Sequence, residues 1–279
     1  MRFSAWGLLA LAALGCETTR SWDLPLPKSA DSLFVVALGR PGAAFYLQVG
    51  LVQEALGNQE TYWEGDSTMS LALWSGQDSL AAFICEQDGL FVLEGEELQS
   101  GRSYHLAGSS RLWGDFSSEP DTVPLPVRID SVRVQFDSLD DKIALQVLLQ
   151  DRPGLQWVGL SLIRYTADGK PLPEDEEHEL YNLLAFPDTL LERMNGRQLF
   201  RVEMDARKYD GMGGSELVAK IEVRLLSFSR NTYHYLDSRA EQQAIYGEWY
   251  GQPVTVASNI KGAYGFWGVY NVDTITLEL

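Results

Sequence analysis

The sequence predicts a mainly β protein: two antiparallel β-sandwich domains of the immunoglobulin or transthyretin kind, with a short helix in the second. Three observations predict it. Short apolar runs recur between turn signals in the first half of the chain, as in an antiparallel sandwich. Longer runs with period-two alternation fill the second half. A polar stretch with three prolines, "SSEPDTVPLP" at 117–126, separates the two.

The chain opens "MRFSAWGLLALAALGC", where Arg2 precedes an apolar run from Ala5 to Leu14. A bilayer span needs roughly 20 apolar residues, and this run is shorter. The charged start and apolar middle fit a secretory signal over residues 1–15. Ala13-Leu14-Gly15-Cys16 resembles a lipobox, with Ala13 where Leu is usual, so Cys16 is the expected lipidation site. The competing reading is a plain export signal that happens to end in Cys. Two or three acyl chains anchor stably where one holds only marginally. Polar, Pro-bearing residues 16–30 then serve as a tether. Removing residues 1–15 deletes Arg2 and no acid, so a chain already at −17 becomes one charge more acidic. That charge argues against nucleic acid and against electrostatic adhesion to anionic lipid.

Residues 31–120 hold the first expected domain. "LFVVAL" from 33, "FYLQVGLV" from 45, "TMSLALW" from 68, "SLAAFI" from 79 and "SYHLAG" from 103 read as its strands. Cys85 lies in one such run and reads as a buried small hydrophobe, with no second thiol beyond Cys16 to pair with.

Residues 127–279 hold the second. Val132, Val134 and Phe136 alternate with Arg133 and Gln135, and Ile143, Leu145, Val147 and Leu149 share a face. "DSLDD" at 137–141 reads as the hairpin tip between them. "LQWVGLSLIRY" and "RQLFRVEMD" continue the sheet, and Leu217, Ala219, Ile221, Val223 and Leu225 predict one further strand. "PLPEDEEHEL" reads as a solvated loop, and "YNLLAFPDTLLERMNG" admits a turn of helix. The short helix falls in "SRNTYHYLDSRAEQQAIY", with Asn231 as its expected N-cap.

Near the end stands "SNIKGAYGFWGVYNVD", with glycines at 262, 265 and 268 among Tyr264, Phe266, Trp267 and Tyr270. A phosphate loop puts glycines between a strand and a helix, often with a Lys following. Here Lys261 precedes the glycines and a strand follows them. Fold closure, with aromatics covering the space beside each Gly, is the expected role. A partner-facing aromatic loop is the other.

Candidate chemistry is sparse, and the chain reads as non-enzymatic, with no cofactor. "GDS" at 65–67 and "DEEH" at 175–178 mimic esterase ends, with Ser67 as nucleophile, His178 as base and Asp175 as its orienter. The flanking β pattern and the charged loop around His178 argue against that triad. His105, His178 and His234 are isolated from one another and lack Cys partners, which gives no zinc pattern, and the acidic runs lack calcium-loop spacing. Trp63, Trp113 and Trp249 stand near Glu64, Asp115 and Glu248, a mixture that can stack on sugars. Their exposure decides between a glycan- or peptide-binding surface and a core role.

Several motifs together carry a family likeness: the lipidated start followed by "DLPLP", "VRIDSV" after the Pro-rich linker, "FPDTLLERMNGRQLFRVEMD", "EVRLLSFSRNTYHYLDS" and the Gly-rich aromatic turn. From Cys16 to Leu279 the chain resembles the Bacteroidota outer-membrane lipoproteins of domain-of-unknown-function family forty-two forty-nine. Members of that family commonly have Gly at Ala263 and Ile-Phe at Phe266-Trp267, so this copy is bulkier there. The resemblance implies a lipid-anchored outer-membrane protein at the cell surface. It would act as accessory or ligand-capturing subunit of a TonB-dependent receptor or another barrel, and it brings no catalytic residue. A free-standing glycan- or peptide-binding surface lipoprotein is the alternative.

Overall fold

The computed structural model describes residues 32–52, 68–87, 89–93, 97–111, 113–137, 141–150, 156–172, 184–187, 191–194, 197–209, 215–245 and 256–279. Alternation decides its layers, because successive side chains of a strand point to opposite faces. In β1 (Ser32–Gly39) Leu33, Val35 and Ala37 are buried, and in the antiparallel β2 (Phe45–Val52) Phe45, Leu47 and Val49 join them. β3 (Ser70–Ser75), β4 (Asp78–Ala82), β5 (Ile84–Gln87), β6 (Leu90–Leu93), β7 (Ser103–Ser110), β8 (Gly114–Ser118) and β9 (Asp121–Thr122) complete the first half. Leu71, Leu73, Tyr104, Leu106 and Phe116 bring the facing sheet to the same core. Cys85 packs half-buried at its margin.

The second half contributes β10 (Ile129–Asp137), β11 (Lys142–Leu149), β12 (Trp157–Tyr165), β13 (Leu184–Pro187), β14 (Glu192–Met194), β15 (Arg197–Asp205), β16 (Arg207–Tyr209), β17 (Ser215–Leu217), β18 (Lys220–Phe228), β19 (Ile260–Lys261) and β20 (Tyr264–Glu278). A 16-residue helix, α1 (Arg230–Ile245), follows β18. Ile143, Leu145, Val147 and Leu149 do share a buried face, opposite Val158, Leu160, Ile221, Val223 and Leu225. The mainly β class is what the described residues adopt, in largely antiparallel sheets with one helix.

The sheets run β13-β12-β18-β20-β1-β2-β6-β5, β19-β8-β7-β3-β4 with β9 on β7, β10-β11-β15-β14, and the small ribbon β16-β17. β20 joins the halves. Its first part pairs parallel with β1, from Phe34↔Tyr264 to Gly39↔Val269. Its second part pairs antiparallel with β18, from Tyr270 to Glu278. Trp267 and Val269 fill the first core, while Ile275 and Leu277 pack on the second.

Four local expectations need correction. The strand does not start after the glycines but at Tyr264, and runs through Gly265 and Gly268. The alternation expected from Leu217 to Leu225 breaks at Val218–Ala219, where the Val218 and Ala219 amides donate to Ala206 and Tyr165 carbonyls. Leu217 therefore sits in the β16–β17 ribbon, exposed, while Val218 is buried. Val134 and Phe136 alternate as read, yet stay exposed because β10 ends its sheet. Residues 184–187 and 192–194, where a helical turn was admissible, are strands.

The helix cap also differs from the sequence reading. Ser229, not Asn231, caps α1: its Oγ accepts the Thr232 amide at 3.0 Å, and its carbonyl accepts the Tyr233 amide. On the inner face of α1, Tyr235 stacks flat on Phe266 with ring centroids 4.1 Å apart.

The Gly-rich turn closes the fold by backbone contact. Gly265 has φ +123°, and a Cβ there would lie 1.9 Å from the Val35 carbonyl oxygen. Gly262, at φ +83°, also lies close to Asp115, where a Cβ would meet its oxygen at 2.4 Å. Asn259 supplies a side-chain substitute for a strand partner: its Oδ1 accepts the Trp267 amide at 2.8 Å and its Nδ2 donates to the Trp267 carbonyl at 2.7 Å. Trp267 itself is fully buried, and its indole N–H donates to the Tyr104 carbonyl at 3.1 Å.

Candidate functional site

The Pro-rich stretch between the halves is pinned along its length. Glu119 donates from its amide to the Asn259 carbonyl, Val123 to that of Arg102, and Val127 to the Ser227 hydroxyl at 2.8 Å. The Pro124 carbonyl accepts from Asn271 Nδ2 at 3.1 Å, and the Ile129 amide donates to Asp273 Oδ2 at 2.8 Å. Proline has no amide to satisfy, so such a stretch can cross a surface with few donors left over.

Within it Asp121 is an anomaly: a carboxylate only 5% exposed. Its Oδ2 accepts the Ser229 hydroxyl at 2.5 Å and the Val269 amide at 3.2 Å, and its Oδ1 accepts the Thr122 amide at 3.1 Å. Burial pushes its pKa up to about 6, against the opposing pull of those three hydrogen bonds. Ser229 caps α1, and Thr232 Oγ1 donates on to the Val269 carbonyl at 3.0 Å. One network thus ties the linker, the start of α1 and the middle of β20.

Beside this network lies a cavity of about 550 Å³. Pro120, Pro124, Leu125 and Val127 line one side; Gln156, Trp157 and Phe228 line another, and Ser229, Arg230 and Asn231 close the end at the helix start. Gln156 Oε1 is buried there with no hydrogen-bond partner among the described residues. Trp157 is half-buried and stacks on Tyr233 at 6.3 Å. An acceptor left over, an aromatic wall and an apolar floor suit a compact amphipathic ligand. The Asp121 carboxylate is held by structural donors, so it shapes the cavity's charge rather than activating a nucleophile.

The residues singled out in the sequence are not gathered at this cavity. Cys16, Trp63, Trp249, Ser67, Asp175 and His178 lie outside the described residues, as does most of the "DSLDD" tip and the acidic loop. Trp113 is half-buried and packs on the first core, with its indole nitrogen buried and unpartnered among the described residues. His105 stacks on Trp74 at 6.2 Å, and burial lowers its pKa. His234 receives a hydrogen bond from Arg230 at 3.4 Å on α1. Among the described residues no three His, Cys, Asp or Glu side chains converge as a metal site would require. Asp121, Gln156, Trp157 and Ser229 escaped the sequence reading. The signal available was an acid framed by Pro120 and Pro124, and a Ser one position before a helical pattern.

Comparison with known proteins gives one clear match. The family model described as Domain of unknown function (DUF4249) matches residues 55–276. No curated protein matches the chain. Among solved structures, a chain of a cytokine receptor complex is similar at 10% identity and TM-score 0.26, covering 71% of this chain and 85% of that one. A candidate carbohydrate-binding protein from Bacteroides uniformis is similar at 8% identity and TM-score 0.25, covering 90% of this chain and 100% of that one. At such scores neither likeness bears on fold or ligand.

Proposed function

We propose, for a chain that belongs to the family described as Domain of unknown function (DUF4249), a role as lipid-anchored, ligand-capturing subunit beside a TonB-dependent receptor or another outer-membrane barrel. The cavity between the linker and the start of α1 carries the capture part of this reading. Its volume, about 550 Å³, lies in the range of small-molecule sites, and its lining combines apolar residues such as Leu125, Trp157 and Phe228 with polar groups that include Gln156 and Asn231. Trp157 offers a face to a sugar ring or a peptide side chain, and Gln156 Oε1 offers an acceptor to its hydroxyl or amide donor. The anchor rests on Cys16 and the lipobox-like residues before it, and the barrel on the family likeness. The site supplies no nucleophile–base pair, so capture without chemistry is the reading adopted. The cavity is built wholly by this chain, which equally supports a free-standing glycan- or peptide-binding lipoprotein.

The test is affinity purification of the tagged full chain from native outer membrane in mild detergent, with Cys16→Ala and Gln156→Leu variants alongside. A barrel protein recovered in equal amount with the wild type and with Gln156→Leu, but lost with Cys16→Ala, supports the subunit. Ligand retained by the wild type and lost with Gln156→Leu supports capture at the cavity. A solitary lipoprotein even after crosslinking sinks the barrel partnership, and leaves the free-standing binder if ligand is still lost with Gln156→Leu.

A further inference from the structure

The second half of the fold is open along one flank. Among the described residues β10 ends its sheet, pairing with β11 alone. β20 faces it across the layer, and the Ile129 amide bonded to Asp273 ties the two together. Beyond Val269, β20 has lost β1 and pairs with β18 alone. On the core side of β10, Val134 stands across from Leu145 and Phe136 across from Ile143. Leu145 and Ile143 are 1% exposed, whereas Val134 is 38% and Phe136 55% exposed. The apolar face continues past its cover. Leu279, 50% exposed, follows the end of β20.

An uncovered strand edge with apolar side chains invites another strand. Its own residues say which. In Arg133-Val134-Gln135-Phe136-Asp137, all five exposed, alternation puts Val134 and Phe136 on the core side and Arg133, Gln135 and Asp137 on the outer side. Laid antiparallel against a second copy of itself about Gln135, the stretch sets Arg133 across from Asp137, Val134 across from Phe136, and Gln135 across from its twin. The Arg133–Asp137 and Val134–Phe136 pairs each occur twice by symmetry and the Gln135 pair once, on the axis, as an isologous contact requires. Moving the centre to Val134 sets Arg133 across from Gln135, and moving it to Arg133 faces Arg with Arg. One register alone makes both ion pairs and keeps the apolar row continuous. Edges that merely repel partners carry guard charges and bulges. Here the bulge sits at the far end, between Ile129 and Ser131, and leaves 131–137 regular. Asp137 lies across from Lys142 in its own chain, and a carboxylate accepts from several donors at once.

We infer that β10 is a homodimer edge, joining two copies of this chain antiparallel about Gln135. A contact of five residue pairs belongs to the small, transient class of interfaces. This inference is independent of the cavity and of its ligand.

Sedimentation velocity on the full chain in mild detergent tests it. The expected result is a reversible monomer–dimer equilibrium that Arg133→Asp weakens about tenfold or more, by turning two attractions into two repulsions. The double variant Arg133→Asp/Asp137→Arg restores it, which also shows that loss in the single variant is not misfolding. Under oxidation Gln135→Cys crosslinks two copies, since its partner is its own twin, and Arg133→Cys does not. A monomer at all concentrations up to about 100 μM overturns the inference. So does a dimer indifferent to Arg133→Asp, or a Gln135→Cys that crosslinks a different protein in native membrane while the purified chain stays monomeric.

Discussion

Replacing Asp121 with Asn separates charge from shape at the most unusual polar group of the molecule. The carboxyl is 5% exposed, and its pKa is raised from the ordinary 3.8 to about 6. A raised pKa means that the folded state binds the proton more tightly than the unfolded state. Stability from this group is therefore fully present below about pH 4 and is lost as pH rises through about 6. At about 1.4 kcal/mol per pH unit, the window is worth roughly 3 kcal/mol. Asn cannot titrate. It keeps one acceptor oxygen, which in the place of Oδ2 still takes Ser229 and Val269, and puts an amide donor where the Thr122 N–H points. At pH 4, where Asp121 is protonated, the variant is the less stable by about 1–2 kcal/mol for that lost bond. At pH 7.5 the wild type carries the buried charge and the gap narrows by roughly 3 kcal/mol, enough to reverse it. Urea unfolding of both proteins at a series of pH values measures the difference directly, and the exposed carboxylates cancel in it. A flat difference from pH 4 to 8, or a wild type that gains on the variant as pH rises, refutes the reasoning.

Three further substitutions test the closure of the fold. Gly265→Ala drives a methyl against the Val35 carbonyl and strains a φ of +123°, so a loss of about 3 kcal/mol or more is expected in the urea midpoint. Asn259→Ala strips both backbone groups of Trp267 of their partner, and a loss of about 2–4 kcal/mol should appear in the same assay, with faster amide exchange at Trp267. Ser229→Ala removes the α1 cap and a donor to Asp121; it should cost about 1–3 kcal/mol by urea unfolding, and it should raise the apparent pKa of Asp121 further, read from the pH profile.

How legible was this in the sequence? Strands whose alternation faces a complete sheet, such as Ile143 to Leu149, could be placed residue by residue, because period two is a local property. Val134 and Phe136 obeyed the same period, yet their exposure depends on β10 having no further neighbour among the described strands, which is a fact of topology. Asp121 was harder still. Its surroundings come from Ser229 and Val269, more than a hundred positions away, and no local pattern announces them. The cavity shares that fate, since Gln156 and Trp157 meet Pro120 and Arg230 only once the sheets have stacked. The Gly-rich turn was legible in kind, because glycines flanked by aromatics imply close backbone approach. That the strand would pass through it was not, for the parallel pairing with β1 joins opposite ends of the chain.

That pairing sets a timetable. β20 leaves the ribosome after every other described strand, and until it arrives β1 and β18 have no strand between them. Val35 and Ala37 lack Trp267, and Ile221 and Val223 lack Ile275 and Leu277, so neither half can finish folding before β20 emerges. Contacts so distant in sequence also form slowly. A nascent chain of this design stays open until β20 is made. For a protein threaded unfolded through a membrane, as the proposed export route requires, postponing both cores to so late a strand keeps the precursor fit for passage.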